Sequence, residues 1–459
     1  MARLTDPVIQ VAILGAVFFC LPAFFNALNG LGSFGLTAAD AHISNNAGTA
    51  LGVLFAFSSL VAGGLFNLFG HRYLLFFGGL SYALYMSSYL AYHYIQSVAF
   101  IVVAACVLGV GAGCLWCAQG AIMMGYPTEG EKGKYFGVFW GIFNAGAVVG
   151  NIIQLAMQWN DKASGEVAPA TQIVFIAVAV IGSFLSLLLL PASRITRSDG
   201  TPAASVKFSS PTTEVKAIFS LFKDWRMLAL FPMFFTSNWF YTYHFSMNAL
   251  NSPNSVRTRA FDSMFYWGAQ IFASVAFGNF LDNTRWTRRT RGRYGFLVLI
   301  CFLTAAWAGG IAYQSGIGIG RFHDYDFVNT TGEWIKFFFL YFVYGICDAM
   351  FQAYAYWLMG SLSNDMHVVA RFSGFYKFAQ NVGNLLAPQV ANSPIGNTVV
   401  PASRAIGHGM GEILICVALV ALSIICAAPV VFKAIQDSTT EEDAVEEKHE
   451  IEYENETKA

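Results

Sequence analysis

The chain has 459 residues, of which 56% are hydrophobic, 16% aromatic and only 12% charged. A soluble domain carries about twice that share of charge. The formal net charge of -1 gives no pull toward nucleic acid, and outside one loop no basic cluster is interleaved with aromatic residues.

Twelve long apolar segments account for the composition. They lie near residues 8–29, 46–68, 73–95, 98–124, 135–158 and 171–190, then 227–248, 260–281, 294–315, 333–359, 371–391 and 409–432. A hydrocarbon core about 30 Å thick needs roughly 20 apolar residues per helix. Lipid offers the backbone no partners, so each run is predicted to be helical. The polar stretch 191–226 divides them six and six. The expectation is an all-α polytopic membrane protein with two six-helix bundles, 1–190 and 227–436, and an outline suited to moving a solute. The first run follows Arg3 and contains Pro22; it is too long for a cleaved leader and reads as a retained span.

All eight cysteines fall inside apolar runs and read as small packing residues. Cys114 and Cys117 form a C-x-x-C with no second pair and no nearby histidine, so no metal or redox site and no cofactor is expected. The residues 191–226 are rich in Ser, Thr, Pro and Lys and read as a flexible linker. The tail 437–459 holds ten acidic residues against two lysines and is expected to be a disordered, solvated end.

Lysine and arginine placement gives the orientation. With a cytoplasmic N-terminus, 19 basic residues fall on the cytoplasmic side and 5 (Lys162, Arg257, Arg259, Arg321, Arg404) on the other. Both termini are therefore expected in the cytoplasm. Asn329-Thr330-Thr331 is an N-x-T acceptor that falls on the opposite side, so Asn329 is a candidate glycan site. Asn455-Glu456-Thr457 falls in the tail and should be silent. Nothing distinguishes plasma membrane from endomembrane.

The chain repeats itself. KYFGVFWGIFNAG (Lys134–Gly146) and RFSGFYKFAQNVG (Arg371–Gly383) share a base, Gly137/Gly374, Phe139/Tyr376, Asn144/Asn381 and Gly146/Gly383 at a constant offset of 237. Gly63–Asn67 before the Gly70-His71-Arg72 turn is echoed by Gly278–Asp282 before a basic loop (Arg285, Arg288, Arg289, Arg291, Arg293). Such echoes are what parallel six-helix repeats predict. The basic loop is a candidate contact for anionic lipid headgroups, and ordinary positive-inside bias explains it as well. Glycine pairs four apart (Gly109/Gly113, Gly137/Gly141, Gly146/Gly150) favour close helix packing.

GGLFNLFGHR (Gly63–Arg72) resembles the loop motif G-x-L-x-D-R-x-G-R-R of the major facilitator superfamily. Gly63, Leu65, Gly70 and Arg72 match; Asn67 stands where the motif has Asp, and Leu68 where it has a base. In that family the acid helps lock the cytoplasmic gate, so its loss leaves the lock in question. The second copy keeps Asp282. Trp116-x-x-Gln119-Gly120, Gly137 with its aromatic run, Gly150-Asn151, the Asp348-Ala349-x-x-Gln352 element and Phe372–Asn384 are similar to the Unc-ninety-three-like branch, fungal members above all. The resemblance implies a major-facilitator fold. Animal relatives include a potassium-channel regulator and a trafficking partner of immune receptors, so it implies transport less firmly.

In that fold, spans one, four, seven and ten line a central cavity. Their polar residues are candidates for contact with a substrate or coupling ion: Asn26 and Asn29, Gln119, Asn238, Tyr241, His244, Asp348 and Gln352. Asp348 is the sharpest, because a mid-span carboxylate costs about 2.5–3.5 kcal/mol on insertion scales. Gln352, four residues on, shares its helix face. Lys377 is a candidate charge partner, with snorkelling toward the cytoplasm as the alternative. His244 sits in the aromatic stretch Asn238–Phe245; it can titrate near neutral pH or simply hold one hydrogen bond. Trp239 and Tyr243 share a face and can stack on a solute or pack in the core. Gln119 and Asn144 are expected to bond between helices.

The leading expectation is a transporter of a small solute or ion working by alternating access. The rival is a non-transporting regulator that binds another integral membrane protein. An enzyme is disfavoured: no nucleophile–base or metal-ligand spacing occurs in the loops. Gly109–Gly113 resembles half a dinucleotide loop but lies inside an apolar run with no preceding strand.

Overall fold

The computed structural model describes residues 4–26, 41–159, 169–203, 210–249, 254–317, 326–391, 393 and 410–437. Asn29, the acceptor at Asn455 and the tail beyond residue 437 lie outside them.

The described chain is helical. The helices are α1 (Pro7–Phe18), α2 (Ala41–Phe69), α3 (His71–Ile95), α4 (Val98–Gly125), α5 (Lys132–Gln158), α6 (Pro169–Leu185), α7 (Pro211–Leu221), α8 (Trp225–Thr236), α9 (Trp239–Ala249), α10 (Val256–Leu281), α11 (Arg288–Ile317), α12 (Thr331–Leu362), α13 (Met366–Ala391) and α14 (Met410–Pro429). Among the described residues, eight stretches are long and apolar enough to cross a membrane, in α1–α5, α11, α12 and α14. Large apolar side chains point outward on them, as Phe57, Phe77, Ile425 and Phe339 do. That is the reverse of a soluble surface and suits lipid contact.

The other expected spans depart from that standard for identifiable reasons. The apolar helix at α6 is shorter, Gln172–Leu188. Both α10 and α13 give up hydropathy to buried polar groups, among them Asp262, Gln270, Lys377, Gln380 and Asn381. The segment expected as one span over 227–248 is broken between α8 and α9 at Ser237–Asn238. Pro232 lacks an N–H and weakens the ladder one turn earlier. Ser237 then turns back on Phe234 O through both its N–H (3.3 Å) and its Oγ (2.7 Å). The first span is also irregular: α1 passes into a π-helical turn over Phe19–Ala23 that contains Pro22.

Glycines set the closest approaches. A Cβ on Gly133 or Gly278 would strike the other's backbone, which brings α5 and α10 into contact. A Cβ on Gly63 would lie 2.8 Å from both Ala370 O and Arg371 Cα, so α2 meets α13 in the same way. Gly133 and Ala370 are 237 positions apart, and Gly63 and Gly278 are the equivalent pair of the second echo. The repeat in sequence is thus also a repeat in contacts.

The stretch expected as a flexible linker contains ordered pieces. Arg197 N–H donates to Thr201 O (2.7 Å) and Ala203 N–H to Ile195 O (2.9 Å), forming a small turn. After residues 204–209, which lie outside the description, α7 begins with Ser210 as its cap.

Candidate functional site

The break at Ser237–Asn238 frees backbone groups that a continuous helix would have paired. Gln352 of α12 takes up one of them: its Nε2 donates to Ser237 O (2.9 Å) and to Asn238 Oδ1 (3.2 Å), and lies 3.5 Å from Asp348 Oδ1. Asp348, one turn back on the same helix, is 1% exposed. Gln270 Nε2 donates to its Oδ2 at 2.7 Å and Tyr266 OH at 3.2 Å, both from α10. Tyr241 of α9 reaches the same carboxylate. Hydrogen bonds to a charged group are worth about 1.5–3 kcal/mol each. Two or three of them offset the insertion cost of about 2.5–3.5 kcal/mol.

The network extends both ways. Trp140 Nε1 of α5 donates to Gln270 Oε1 (2.9 Å), a bond from the first half of the chain to the second. In the other direction Tyr376 OH donates to Gln352 Oε1, and Gln380 Nε2 donates to Tyr376 OH (2.9 Å) and Ser237 Oγ (2.9 Å). Lys377 Nζ donates to Gln380 Oε1 (2.7 Å) and lies 4.4 Å from the centre of the Trp116 ring. A desolvated cation over tryptophan gains about 2 kcal/mol. Tyr356, also under the ammonium, donates to Gln119 Oε1 at 3.1 Å.

Lys377 therefore neither pairs directly with Asp348 nor snorkels. It is 3% exposed and reaches the carboxylate only through Gln380 and Gln352. Asp348, Gln352, Tyr241, Gln119, Asn238 and Lys377 come together as one network. His244 is buried against it, with Nδ1 3.1 Å from Tyr266 OH. Asn26 does not join: it closes the first helical segment, partly exposed, and no described hydrogen bond ties it to these groups. Asn144 does not bond between helices; its Nδ2 donates to Trp140 O on its own helix (2.9 Å). Trp239 and Tyr243 are buried in the packing, Tyr243 donating to Gln314 (3.3 Å).

Sequence reasoning missed Gln270, Tyr266, Tyr376, Gln380 and Trp140. A signal existed for the first two: Tyr266, Gln270 and Ser274 recur every fourth residue and make a polar stripe on α10. The void beside Asp348, lined by Phe240, His244, Trp307 and Tyr344, measures only about 10 Å³. That is about the room of one water molecule.

At the linker end, Asp282 caps α5. Its Oδ1 accepts from Gly133 N–H (2.9 Å) and its Oδ2 from Lys134 N–H (2.6 Å), where the helix dipole favours an acid. Asn67 holds the equivalent place on α2. Gly70 caps α3 with φ at +78°, and the Arg72 guanidinium donates to Leu187 O (2.5 Å). The basic loop is only partly available to lipid. Arg288 is buried, with Nη1 2.7 Å from Glu129 Oε1, and Arg291 is buried against Leu281 O, whereas Arg285, Arg289 and Arg293 face outward. Neither half of the C-x-x-C is in a disulfide; Cys117 donates to Ala370 O at 3.3 Å. Asn329 is exposed in the turn before α12.

Comparison with known proteins agrees with this architecture. The Major Facilitator Superfamily profile matches residues 8–388. UNC93-like protein 1 of Arabidopsis thaliana is 40% identical over 390 residues, 84% of each chain. An UNC93-like protein of Schizosaccharomyces pombe is 37% identical over 434 residues, 94% of this chain and 83% of that one. Among solved structures, the transporter FucP in its outward conformation superposes with a TM-score of 0.62 at 14% identity, covering 95% of this chain and all of that one. The proton:xylose symporter XylE gives 0.60 at 12%, covering 92% and 94%. The chain belongs to the Major Facilitator Superfamily and is related within it to the UNC93-like proteins.

Proposed function

We propose that the chain crosses the membrane twelve times as two six-helix repeats, 1–190 and 227–436, with both termini and the linker in the cytoplasm. In this reading it moves a small solute or ion by rocking one repeat against the other. Asp348 is the coupling or substrate-binding group. Gln352, Tyr241, His244 and Gln119 position it or contact the solute, and Lys377 supplies the compensating charge.

The observation that carries the reading is the inter-half character of the Asp348 network. A buried carboxylate sits at a helix break, as in transporters whose sites are built from discontinuous helices. Its partner Gln270 is held in turn by Trp140 of the other half. A movement that parts the halves breaks that bond and changes what surrounds the acid. The test is uptake of isotopically labelled sugars, amino acids and rubidium by the purified protein in liposomes. Flux of one class above protein-free liposomes is expected; monodisperse, correctly inserted protein that moves none of them would defeat the reading.

A second reading is favoured by one observation. The space at Asp348 is filled by Phe240, Trp307 and Tyr344 and leaves about 10 Å³. A non-transporting regulator of another membrane protein would have that interior, whereas a transporter must open it during its cycle.

A further inference from the structure

Glu214 is an acid on the linker, yet it is 2% exposed. It lies on α7 with Ile218 and Leu221, which are buried on the same face of that helix. Gly64 makes room for it: a Cβ there would lie 3.2 Å from Glu214 Cβ and 3.6 Å from Ile218 Cδ1. The carboxylate receives both arms of the Arg371 guanidinium of α13, Nε at 2.9 Å and Nη2 at 2.7 Å. It also accepts from Asn67 Nδ2 of α2 at 3.1 Å. One linker side chain thus bonds the first half and the second half at once. A bidentate arginine–carboxylate pair is among the stronger polar contacts available. Removing one partner from a buried pair leaves an uncompensated charge.

The identity of residue 67 follows from this contact. An aspartate there would set two carboxylates about 3 Å apart, a strongly unfavourable arrangement. An asparagine instead gives Glu214 a donor, while its second N–H bonds His367 O at 3.3 Å. We propose that Glu214 is the closing acid of this end of the bundle, carrying the charge that Asn67 lacks, so that closure depends on the linker helix being docked. The loop motif left the charge lock in question; in this proposal the lock is relocated to the linker. Arg197 of the linker adds a second bridge, donating to Gly125 O of α4 (2.8 Å) and to Asn364 O before α13 (3.2 Å). The inference does not depend on whether a solute crosses the membrane.

Cys117 is a built-in reporter. It is fully buried between α4 and α13 and bonded to Ala370 O, next to Arg371. In the full-length protein reconstituted in liposomes, its alkylation by N-ethylmaleimide, followed by peptide mass spectrometry, reads the parting of that seam. Labelling of the same cysteine after denaturation in detergent serves as the internal standard. Glu214→Gln, Arg371→Gln and Asn67→Asp are each expected to speed labelling of Cys117 by about tenfold, the scale of a charged hydrogen bond. Asn67→Asp combined with Glu214→Gln should bring it back toward the wild-type rate. So should the exchange Glu214→Arg with Arg371→Glu, because the Asn67 amide can turn its oxygen to an arginine. An unchanged rate in Glu214→Gln, or no recovery in either pair, overturns the proposal. If a single variant is too unstable to purify, its yield takes the place of the rate: rescue by the paired change supports the proposal, and failure of rescue overturns it.

Discussion

Trp140 and Lys377 stand 237 positions apart, at equivalent places in the two echoing stretches, and each is held by the same device. Asn144 donates to Trp140 O (2.9 Å) and Asn381 to Lys377 O (2.7 Å), four residues back in both cases. The side chains then diverge. Trp140 donates to Gln270, which bonds Asp348 directly; Lys377 donates to Gln380, which leads to Asp348 through Gln352. One of the two echoing stretches offers a neutral donor to the acid's network, the other a cation.

Because the acid and the base are both buried and joined through the amides of Gln380 and Gln352 and the Tyr376 hydroxyl, their energies should be coupled without contact. Lys377→Met and Asp348→Asn should each destabilise the protein, because either change leaves a buried charge without the opposite one that compensates it. The double variant should lose clearly less than the sum of the two. Thermal unfolding of the four proteins in detergent measures the cycle. Additive losses would show that the two charges do not sense each other.

Asp348→Asn should lower the melting midpoint yet leave the protein folded at working temperature, and it should lose the function. The asparagine Oδ1 still accepts from Gln270 or Tyr266, so surface abundance and size-exclusion profile should be close to wild type. Solute flux in liposomes should fall well below wild type, because the proposed coupling charge is gone. Normal flux at normal abundance would assign the carboxylate a structural role.

Much of this was legible in the chain, and the limits have physical causes. Helix positions follow from apolar length, which lipid enforces; the echoing glycines lie where α5 meets α10 and α2 meets α13, but the sequence did not say which helices they would join. The break at Ser237–Asn238 was not legible, because Pro232 sits a turn earlier and proline inside a membrane helix often only kinks it. The partners Gln270 and Gln380 were passed over because a neutral amide in an apolar run costs less than a charge and draws less notice. Glu214 was hidden for the opposite reason: an acid among Ser, Thr and Lys reads as solvated, and only tertiary packing buries it.

Asp282 gives a pH dependence of definite sign. Burial raises its carboxyl to about 6, against the lowering by the Lys134 and Gly133 N–H groups and by Arg291; Glu131 adds to the raising. An acid raised on folding holds its proton more tightly in the folded state. Its stabilising contribution is complete below the unfolded value of about 4 and is lost as pH rises to about 6. Asp326 runs the other way. Burial alone would raise it, but bonds from Arg257, Ser255 and the Val328 and Asn329 N–H groups hold it well below the usual range, so its contribution fades only in stronger acid. Between about pH 4 and pH 6 the melting midpoint of wild type should therefore fall relative to that of Asp282→Asn, and the difference should level off by about pH 7. A wild-type midpoint that rises relative to that of Asp282→Asn in that interval contradicts the assignment.

Asn329 offers a test of sidedness that does not depend on charge counting. It is exposed in the turn that precedes α12, in the sequence Asn329-Thr330-Thr331. The turn is ordered by Asp326, whose Oδ1 accepts from the Val328 (3.0 Å) and Asn329 (3.1 Å) N–H groups, and whose own N–H donates to Thr330 Oγ1 (2.7 Å). Side chains at 329 thus point away from the bundle, where a glycosyl transferase has access if the loop faces the lumen or the exterior. Protein made in a eukaryotic secretory membrane should shift to faster mobility on treatment with an N-glycosidase, and Asn329→Gln should remove the shift. A glycan that survives Asn329→Gln and disappears with Asn455→Gln would put the tail on the outer side and reverse the orientation of every helix.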